Sequence, residues 1–342
     1  MKTNMKKIPV NIYLRSILTV LAAALVLVAI TSCGPKDSNK SRPLIFAQPQ
    51  DVWWNAPVLL AMNSKMDVDI KAFSVVTGQA SKDAVAQHHA DIGVCANTPL
   101  LPAALKGQDV IVLGTFMRSS NLISIVRYTD VTNMWDHNIK IAITPGVISE
   151  FFLRKYLQAN VPNVSFQDVN FLLGKPAEIG THLKNKDAQV AVMFEPYTSD
   201  VLRPDFGTPL ADVVQVLATN IYTVQSYLIT SRTAWHDRRD DMLKVVRQVA
   251  MECAYVTTNS SGASDKVIKM MQQNTNSIAA CWGQVDFSFV TDRASLRNAI
   301  MQDYYLNPEI QTAGTNSLLL DGMFEAITQI EGNLNTNGIP YK

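Results

Sequence analysis

The chain has 342 residues, of which 47% are hydrophobic and 17% charged, and its formal net charge is +1 at pH 7. This length exceeds what one hydrophobic core usually fills, so we expect two domains, and the composition excludes wholesale disorder. A net charge near zero, without a stripe of Lys and Arg, argues against nucleic acid as a partner.

The N-terminus has the pattern of a bacterial lipoprotein signal peptide over residues 1–33. Basic residues precede a mostly apolar run at 17–30, which is too short to span a bilayer comfortably and suits a signal-peptide core. The run ends in Ile-Thr-Ser-Cys-Gly, which resembles a lipobox, so we expect lipidation at Cys33 and a polar tether over 34–43. An ordinary secretory signal with an incidental cysteine, or an uncleaved anchor, is the alternative.

Residues 74–99 predict a strand, a helix and a second strand. A β-branched run stops at Gly78, a helix-compatible segment follows over 81–90, and a second apolar run ends in Asn-Thr-Pro. Short connections make this a right-handed parallel βαβ unit. The loops at 77–80 and 96–99 then lie at the same sheet edge, where open α/β folds bind ligands.

The same arrangement recurs one lobe later in the chain. Gly174 stands 96 residues after Gly78, and Pro145 stands 96 residues after Pro49. The order of strand, loop and helix repeats in the same register. A period this long indicates two similar lobes rather than a solenoid.

Two strands are expected to connect the lobes. The apolar run 122–128 has no helix of its own before the second lobe, and 221–230 alternates like a strand. We interpret both as crossing strands. Lobe one then comprises 44–135 plus 223–342, and lobe two comprises 136–222.

Three cysteines remain when Cys33 is set aside, which is an odd number for a protein outside the cytosol. Cys253 and Cys281 are expected either to bridge two helices or to be free buried thiols. Cys95 lies in a predicted strand and is expected in the core. The histidines and cysteines show no metal-ligand spacing, and no cofactor is expected.

Several motifs together resemble a known family. They are the lipobox, the βαβ unit at 78–99, Leu-Lys-Gly-Gln-Asp-Val at 105–110, Thr-Pro-Gly at 144–146 and Phe-Glu-Pro-Tyr at 194–197. Their order resembles ABC-transporter solute-binding proteins of the nitrate/sulfonate/taurine and thiamine-pyrimidine-precursor group, over about residues 43–275. The resemblance implies an α/β, two-lobed type II periplasmic-binding-protein-like fold. Each lobe would be a mainly parallel sheet flanked by helices, and two crossing strands would join the lobes.

The resemblance also implies a function. A solute-binding component of an ABC importer is extracytoplasmic, closes its lobes on a small molecule and delivers it to a permease and its ATPase. We expect a monomer, lipid-anchored to the bacterial membrane or envelope, with a polar or zwitterionic organic ligand (sulfonate/taurine-like or pyrimidine-like) and no enzymatic activity. The alternatives are an enzyme of the same fold that acts on a small heterocycle with Glu195 as base, or a tethered sensor or structural lipoprotein.

Under this resemblance the candidate ligand-binding residues lie in loops that follow strands. Side chains that both donate and accept hydrogen bonds suit such a ligand, helix N-termini offer N–H donors, and an indole suits an apolar wall. The candidates are Gln48, Trp53, Gln79, Asn97, Thr98 and Thr115 in lobe one, and Thr144, Gly146, Glu195 and Tyr197 in lobe two. Glu195 is expected either to hold an amino group or to form a structural salt bridge or cap. Of Trp53 and Trp54, at most one is expected to line the cleft.

Overall fold

The computed structural model describes residues 42–50, 52–202, 210, 212–216, 221–271, 275–304 and 317–342. The signal segment, Cys33 and most of the tether lie outside these residues, so the expectations for them stay predictions. Within the described ranges, no helix is both long enough and apolar enough to cross a membrane.

The described residues form two five-stranded sheets. In chain order the strands are β1 (Leu44–Pro49), β2 (Ile70–Val75), β3 (Ile92–Ala96), β4 (Ile111–Ser119), β5 (Ile123–Tyr128), β6 (Ile141–Ile143), β7 (Phe171–Leu173), β8 (Val190–Phe194), β9 (Val213–Val216) and β10 (Val224–Thr230). The strand orders are β2-β1-β3-β10-β4 in the first sheet and β7-β6-β8-β5-β9 in the second. The two sheets therefore follow one plan.

In each sheet four strands run in the same direction, and the fifth, which comes from the other lobe, runs against them. β1 runs parallel to β2 and β3, and β6 runs parallel to β7 and β8. β10 is antiparallel to β3 and β4, and β5 is antiparallel to β8 and β9. β5 enters the second sheet directly after β4, and β10 returns to the first sheet after β9. The expected two-lobed α/β fold with crossing strands is confirmed.

One predicted boundary needs correction. The sequence analysis ended the first part of lobe one at residue 135, but β5 (123–128) is hydrogen-bonded on both sides within the second sheet. The polar stretch after β5 is a loop between two strands of that sheet, not a linker between lobes. The change of sheet comes between β4 and β5. The rest of the predicted division stays a prediction.

Helices flank both sheets. They are α1 (Ala56–Asn63), α2 (Gly78–Ala86), α3 (Leu100–Leu105), α4 (Ile148–Asn160), α5 (Pro176–Lys184), α6 (Tyr197–Leu202), α7 (Arg232–Asp237), α8 (Arg239–Thr258), α9 (Ser260–Met271), α10 (Thr275–Cys281), α11 (Arg293–Met301), α12 (Ser317–Gly322) and α13 (Ile327–Thr336). Thr77 caps α2 by accepting a hydrogen bond from the Ala80 N–H. α2 packs closely on β3 because Gly93 has no side chain, and a Cβ there would lie 2.6 Å from Ser81 Oγ.

The largest hydrophobic cluster runs through both lobes. It includes Phe46 and Phe116 from the first sheet and Ile141 and Val190 from the second. Buried apolar contact is therefore continuous across the boundary between the sheets, and the chain from Pro43 to Lys342 forms one compact unit.

The described cysteines are buried thiols rather than a disulfide. Cys253 Sγ lies 3.8 Å from the Phe116 carbonyl oxygen, and Cys281 Sγ lies 3.2 Å from Ser199 Oγ. Of the two alternatives for Cys253 and Cys281, the structure therefore supports buried thiols. Burial raises the pKa of the Cys95 and Cys253 thiols, which keeps both protonated and unreactive.

Candidate ligand-binding site between the lobes

Aromatic side chains from the two lobes meet where parallel strands end. Trp54 follows β1 and Phe194 ends β8, and their rings lie 5.7 Å apart in an edge-to-face arrangement. Trp53 contacts Trp54 with ring centroids 6.0 Å apart. On its other side, Trp53 stacks on Trp282 at 5.7 Å. A row of four aromatic rings thus links the C-terminal segment, the first lobe and the second lobe.

Polar contacts also connect the two ends of this row, Phe194 and Trp282, through their neighbours in the sequence. The backbone N–H of Ser199, in the first turn of α6, donates to Glu195 Oε2 over 3.0 Å. Ser199 Oγ lies 3.2 Å from Cys281 Sγ, and Cys281 immediately precedes Trp282. Phe194 immediately precedes Glu195, so these contacts form a closed ring. The ring passes between the lobes twice, at Trp54–Phe194 and at Ser199–Cys281. We call this the interlobe ring, and its members are Trp53, Trp54, Phe194, Glu195, Ser199, Cys281 and Trp282.

Trp282 reaches the ring because the segment after it is bonded to the edge of β4. Arg118 and Asp286 exchange two backbone hydrogen bonds of 2.9 and 2.8 Å, and the Arg118 guanidinium lies 2.6 Å from the Asp286 carboxylate. Ser119 Oγ donates to the Gln284 carbonyl oxygen over 2.7 Å. The Phe289 ring covers Gly114, where a Cβ would approach to 2.6 Å. These contacts hold residues 284–289 against β4, the strand that precedes the first crossing between the lobes.

Buried polar atoms in the ring and next to it lack hydrogen-bond partners among the described residues. Two are donors, the indole Nε1 atoms of Trp53 and Trp282. Three belong to neighbouring side chains, namely the hydroxyls of Thr144 and Thr198 and Oε1 of Gln284. A buried polar group left unpaired costs about 1–3 kcal/mol, so folded proteins rarely contain one without a reason. Such atoms, from both lobes, mark this region as a candidate binding site.

Comparison with solved structures identifies the fold. The chain has the periplasmic-binding-protein fold. It is similar to the periplasmic aliphatic sulphonate-binding protein SsuA from Escherichia coli, with 15% identity, a TM-score of 0.66, and 80% of this chain and 89% of that chain covered. It is also similar to the alkanesulfonate-binding SsuA from Xanthomonas axonopodis bound to MOPS, with 13% identity, a TM-score of 0.62, and 81% of this chain and 96% of that chain covered. A third similar structure is the nitrate-binding protein NrtA from Synechocystis, with 11% identity, a TM-score of 0.63, and 88% of this chain and 92% of that chain covered.

These proteins belong to the group that the sequence resembles, and at this identity the likeness establishes the fold. No protein-family model matches the chain, and no curated protein sequence matches it.

In this periplasmic-binding-protein fold, the second lobe places three predicted site residues in or beside the ring. Glu195, 4% exposed, is a ring member, and its contact with the Ser199 N–H is cap-like. Tyr197 packs edge-to-face on Phe194 at 5.4 Å. Thr144 is buried at the end of β6, beside β8. Gly146 is exposed, and its N–H donates to Glu150 within α4 over 2.7 Å, so the structure does not bring it together with the others.

The first lobe places only Trp53 of its predicted residues in the ring. Thr98 is buried just after β3. Gln48 is half-buried and lines a separate cavity of about 670 Å³, together with Asn63 and Met271. Gln79 is exposed and bonds to Asp83 on its own helix.

Thr115 and Asn97 are committed to internal structure. Thr115 Oγ1 donates to the Ser226 carbonyl oxygen over 2.6 Å. Asn97 Nδ2 donates to Tyr222 and to Asp303, and Asn97 Oδ1 accepts the Gln225 N–H. The polar atoms of Asn97 are therefore all used in hydrogen bonds to other buried parts of the protein.

Sequence reasoning missed the contribution of the C-terminal segment. Trp282, Gln284 and Thr198 were not candidates, and Trp54 was only an alternative to Trp53. An aromatic residue followed by glycine in Trp-Gly-Gln is the sequence signal that points to a loop there. Across the residues that the structure describes, no group of His, Cys, Asp or Glu is arranged to hold a metal ion.

Proposed function

We propose that this chain is the extracytoplasmic solute-binding component of an ABC importer. It captures a small polar or zwitterionic organic molecule, sulfonate/taurine-like or pyrimidine-like, between its lobes and delivers it to a permease. The observation that carries this proposal is the interlobe ring: the ring and the side chains next to it hold buried polar atoms, from both lobes, that lack partners among the described residues. The similar folds of sulfonate- and nitrate-binding proteins support the same class of function.

The unpaired atoms define the chemistry of the ligand. The indole N–H groups of Trp53 and Trp282 can only donate, so the ligand presents hydrogen-bond acceptors to both of them. The Thr144 and Thr198 hydroxyls can donate or accept, and Gln284 Oε1 accepts one donor from the ligand. The aromatic faces supply apolar walls, as is typical of small-molecule sites.

The charges near the ring favour a ligand that is not a bare anion. Glu195 is a buried acid in the ring, and no ring member carries a positive charge. The nearest basic group along β4, Arg118, is paired with Asp286 through one terminal nitrogen of its guanidinium, while its buried Nε has no partner among the described residues. An amino group on the ligand would pair with Glu195, while acceptor atoms on the same molecule would meet the indole N–H groups.

Binding and closure are linked in this proposal. Ligand contacts from both lobes favour the closed arrangement over an open one. The protein acts as a monomer and as a binding protein rather than an enzyme, since capture needs only these contacts.

The N-terminal segment would keep the protein outside the cytoplasm, held through a lipid on Cys33. Replacing Cys33 with Ala is expected to release the protein from the membrane fraction. Unchanged fractionation of Cys33→Ala would contradict the lipid anchor without affecting the binding proposal.

Native mass spectrometry of the purified mature protein tests the proposed function. We expect a small molecule that stays bound in the gas phase and is released on unfolding. Calorimetry with that molecule should show weaker binding to Trp282→Phe, which keeps a ring and loses the N–H donor. Trp135→Phe, at a tryptophan that packs on Tyr156 in lobe two, is the matched control. A protein that carries no molecule, and that gives no heat with methanesulfonate, taurine or uracil, would contradict the proposal.

A further inference from the structure

Residues 282–290, which we call the edge segment, run along the edge of β4 in lobe one. Thr115 and Val290 exchange two backbone hydrogen bonds of 3.0 and 2.8 Å, in addition to the two between Arg118 and Asp286. The ion pair of Arg118 with Asp286 strengthens the same connection. The edge segment is therefore fastened to lobe one by four backbone hydrogen bonds and an ion pair.

The contact of this part of the chain with lobe two is of a different kind. α10 packs beside α6, and at the end of α10 the Cys281 Sγ lies 3.2 Å from Ser199 Oγ. A thiol is a weak hydrogen-bond donor and a weak acceptor, so this contact is weaker than a backbone hydrogen bond to β4. The other place where the ring passes between the lobes is the edge-to-face pair of Trp54 and Phe194. When the lobes separate, these two contacts break, and the edge segment stays on lobe one.

We propose that Trp53, Trp282 and Gln284 form a preformed half-site on lobe one, which stays assembled when the lobes separate and is the surface that the ligand meets first. The side chains of lobe two, among them Glu195, complete the site when the lobes close. This inference rests on the proposed function, because capture requires the lobes to separate. It adds which lobe receives the ligand and which contacts part.

Contacts within lobe one and the edge segment hold the half-site in place. The rings of Trp53 and Trp282 stack with an angle of 28° between their planes, and Trp282 packs on its other side against Phe287, with ring centroids 5.1 Å apart. Ser119 Oγ fixes the backbone of Gln284 by donating to its carbonyl oxygen over 2.7 Å. The unpaired indole N–H groups and Gln284 Oε1 therefore keep their places without lobe two. A binding surface that is already ordered costs less conformational entropy when a ligand arrives.

The three buried cysteines report on separation of the lobes without any ligand. Cys281 lies where the lobes part, whereas Cys95 in β3 and Cys253 in α8 lie inside lobe one. In the chain with Cys33→Ala, alkylation of each thiol by N-ethylmaleimide is followed by peptide mass spectrometry. Each rate is divided by the rate of the same thiol in urea, which removes differences in intrinsic reactivity.

Hydrogen exchange of the same protein shows which lobe the edge segment follows. A peptide over 284–291 contains the Asp286 and Val290 N–H groups, which are bonded to β4. If the edge segment stays on lobe one, these amides exchange as slowly as those of a peptide over β4. If it moves with lobe two, they exchange at each opening, in step with the alkylation of Cys281.

We expect Cys281 to react at least about tenfold faster than Cys95 and Cys253, because separation of the lobes needs less free energy than global unfolding. The Asp286 and Val290 amides should stay as slow as those of β4. Equal rates for the three thiols, or fast exchange of the two amides in step with Cys281, would overturn the half-site. Neither result would affect the detection of a bound molecule by native mass spectrometry, so this inference can fail while the proposed function stands.

A variant of the aromatic contact between the lobes tests where they part. Phe194→Leu keeps an apolar side chain and loses the ring that packs on Trp54, so it should speed the alkylation of Cys281 by up to about tenfold. Phe166→Leu, at a ring that packs on Phe171 within lobe two, is the matched control and should leave this rate unchanged. An unchanged Cys281 rate in Phe194→Leu would overturn the proposed line of separation.

Discussion

The loops that follow β3 and β8 occupy equivalent places in the two sheets, and each begins with a buried polar residue. In the first lobe this residue is Asn97, whose side chain is bonded to Tyr222, Asp303 and the Gln225 N–H. In the second lobe it is Glu195, whose carboxylate accepts the Ser199 N–H and belongs to the interlobe ring. One structural plan thus serves two purposes: the first loop secures a crossing strand, and the second contributes to the site between the lobes.

The C-terminal third of the chain accounts for this difference. After β10, the chain packs Asp303 against Asn97 and sends Trp282 into the ring. Asn97 is therefore bonded directly to the C-terminal segment through Asp303, whereas Glu195 bonds to Ser199, whose hydroxyl lies against Cys281 of that segment. A duplicated fold predicts equivalent positions, and the later packing decides what each position does.

The largest expected effect is on the free energy of unfolding, and it should differ between Asn97 and Glu195. Asn97→Ala leaves Tyr222, Asp303 and the Gln225 N–H without their buried partner, so we expect the free energy of unfolding to fall by about 3 kcal/mol. Glu195→Gln keeps an acceptor for the Ser199 N–H and should cost less than about 1 kcal/mol. Urea denaturation followed by circular dichroism measures both values. Equal losses at the two positions would contradict the difference in their roles.

The pH dependence of stability should come next in size. The pKa of Asp303 in the folded chain, about 7, lies above its unfolded value of 3.8, so the folded state binds the extra proton between these values. The contribution of Asp303 is therefore fully present below about pH 4 and is lost as the pH rises to 7, by at most about 1.4 kcal/mol per unit. The difference in unfolding free energy between wild type and Asp303→Asn, measured at pH 5, 6 and 7, gives the pH-dependent contribution of Asp303 to stability. A constant difference would refute it.

Glu195→Gln should affect ligand binding more than stability. If Glu195 pairs with an amino group on the ligand, replacing the carboxylate with a neutral amide should weaken binding about ten- to a hundredfold. Calorimetry with the molecule found by native mass spectrometry measures the change. Wild-type affinity in Glu195→Gln, with folding intact, would show that Glu195 serves only as a cap for α6.

The smallest effect is expected at Gln79, which the sequence analysis placed in the cleft. Its side chain is exposed and bonds only to Asp83 one turn along α2, so Gln79→Ala should change the unfolding free energy by less than about 0.5 kcal/mol. Ligand affinity should be unchanged by calorimetry. A tenfold loss would place Gln79 at the site after all.

Sequence patterns predicted the strands, the helices and the two-lobed arrangement, and the family resemblance implied the type II fold. Alternating apolar runs, turn residues and the 96-residue repeat located the strands around Gly78 and Gly174, because strand and helix periodicities are local properties of the chain. The boundary at residue 135 was wrong because a polar loop inside a lobe has the same composition as a linker between lobes.

The site was predicted less completely because its contacts are not local. Of the candidates that the family resemblance implied, Trp53, Thr144 and Glu195 lie in or beside the interlobe ring, and their role in binding stays a prediction. Trp282 reaches Trp53 only after the chain has crossed between the lobes twice, and no periodicity encodes that encounter. The role of Asn97 was missed for the same reason, since its partners, Tyr222 and Asp303, come from later crossings of the chain.

Nuclear magnetic resonance of the tryptophan indole N–H groups tests most directly whether a solute binds in the interlobe ring. The chain has five tryptophans, whose indole signals can be assigned with single Trp→Phe variants. On addition of the molecule identified by native mass spectrometry, we expect the Trp53 and Trp282 signals to shift as their N–H groups gain acceptors, while those of Trp135 and Trp235 stay in place. Unchanged Trp53 and Trp282 signals, with binding confirmed by calorimetry, would contradict a ligand site in the ring.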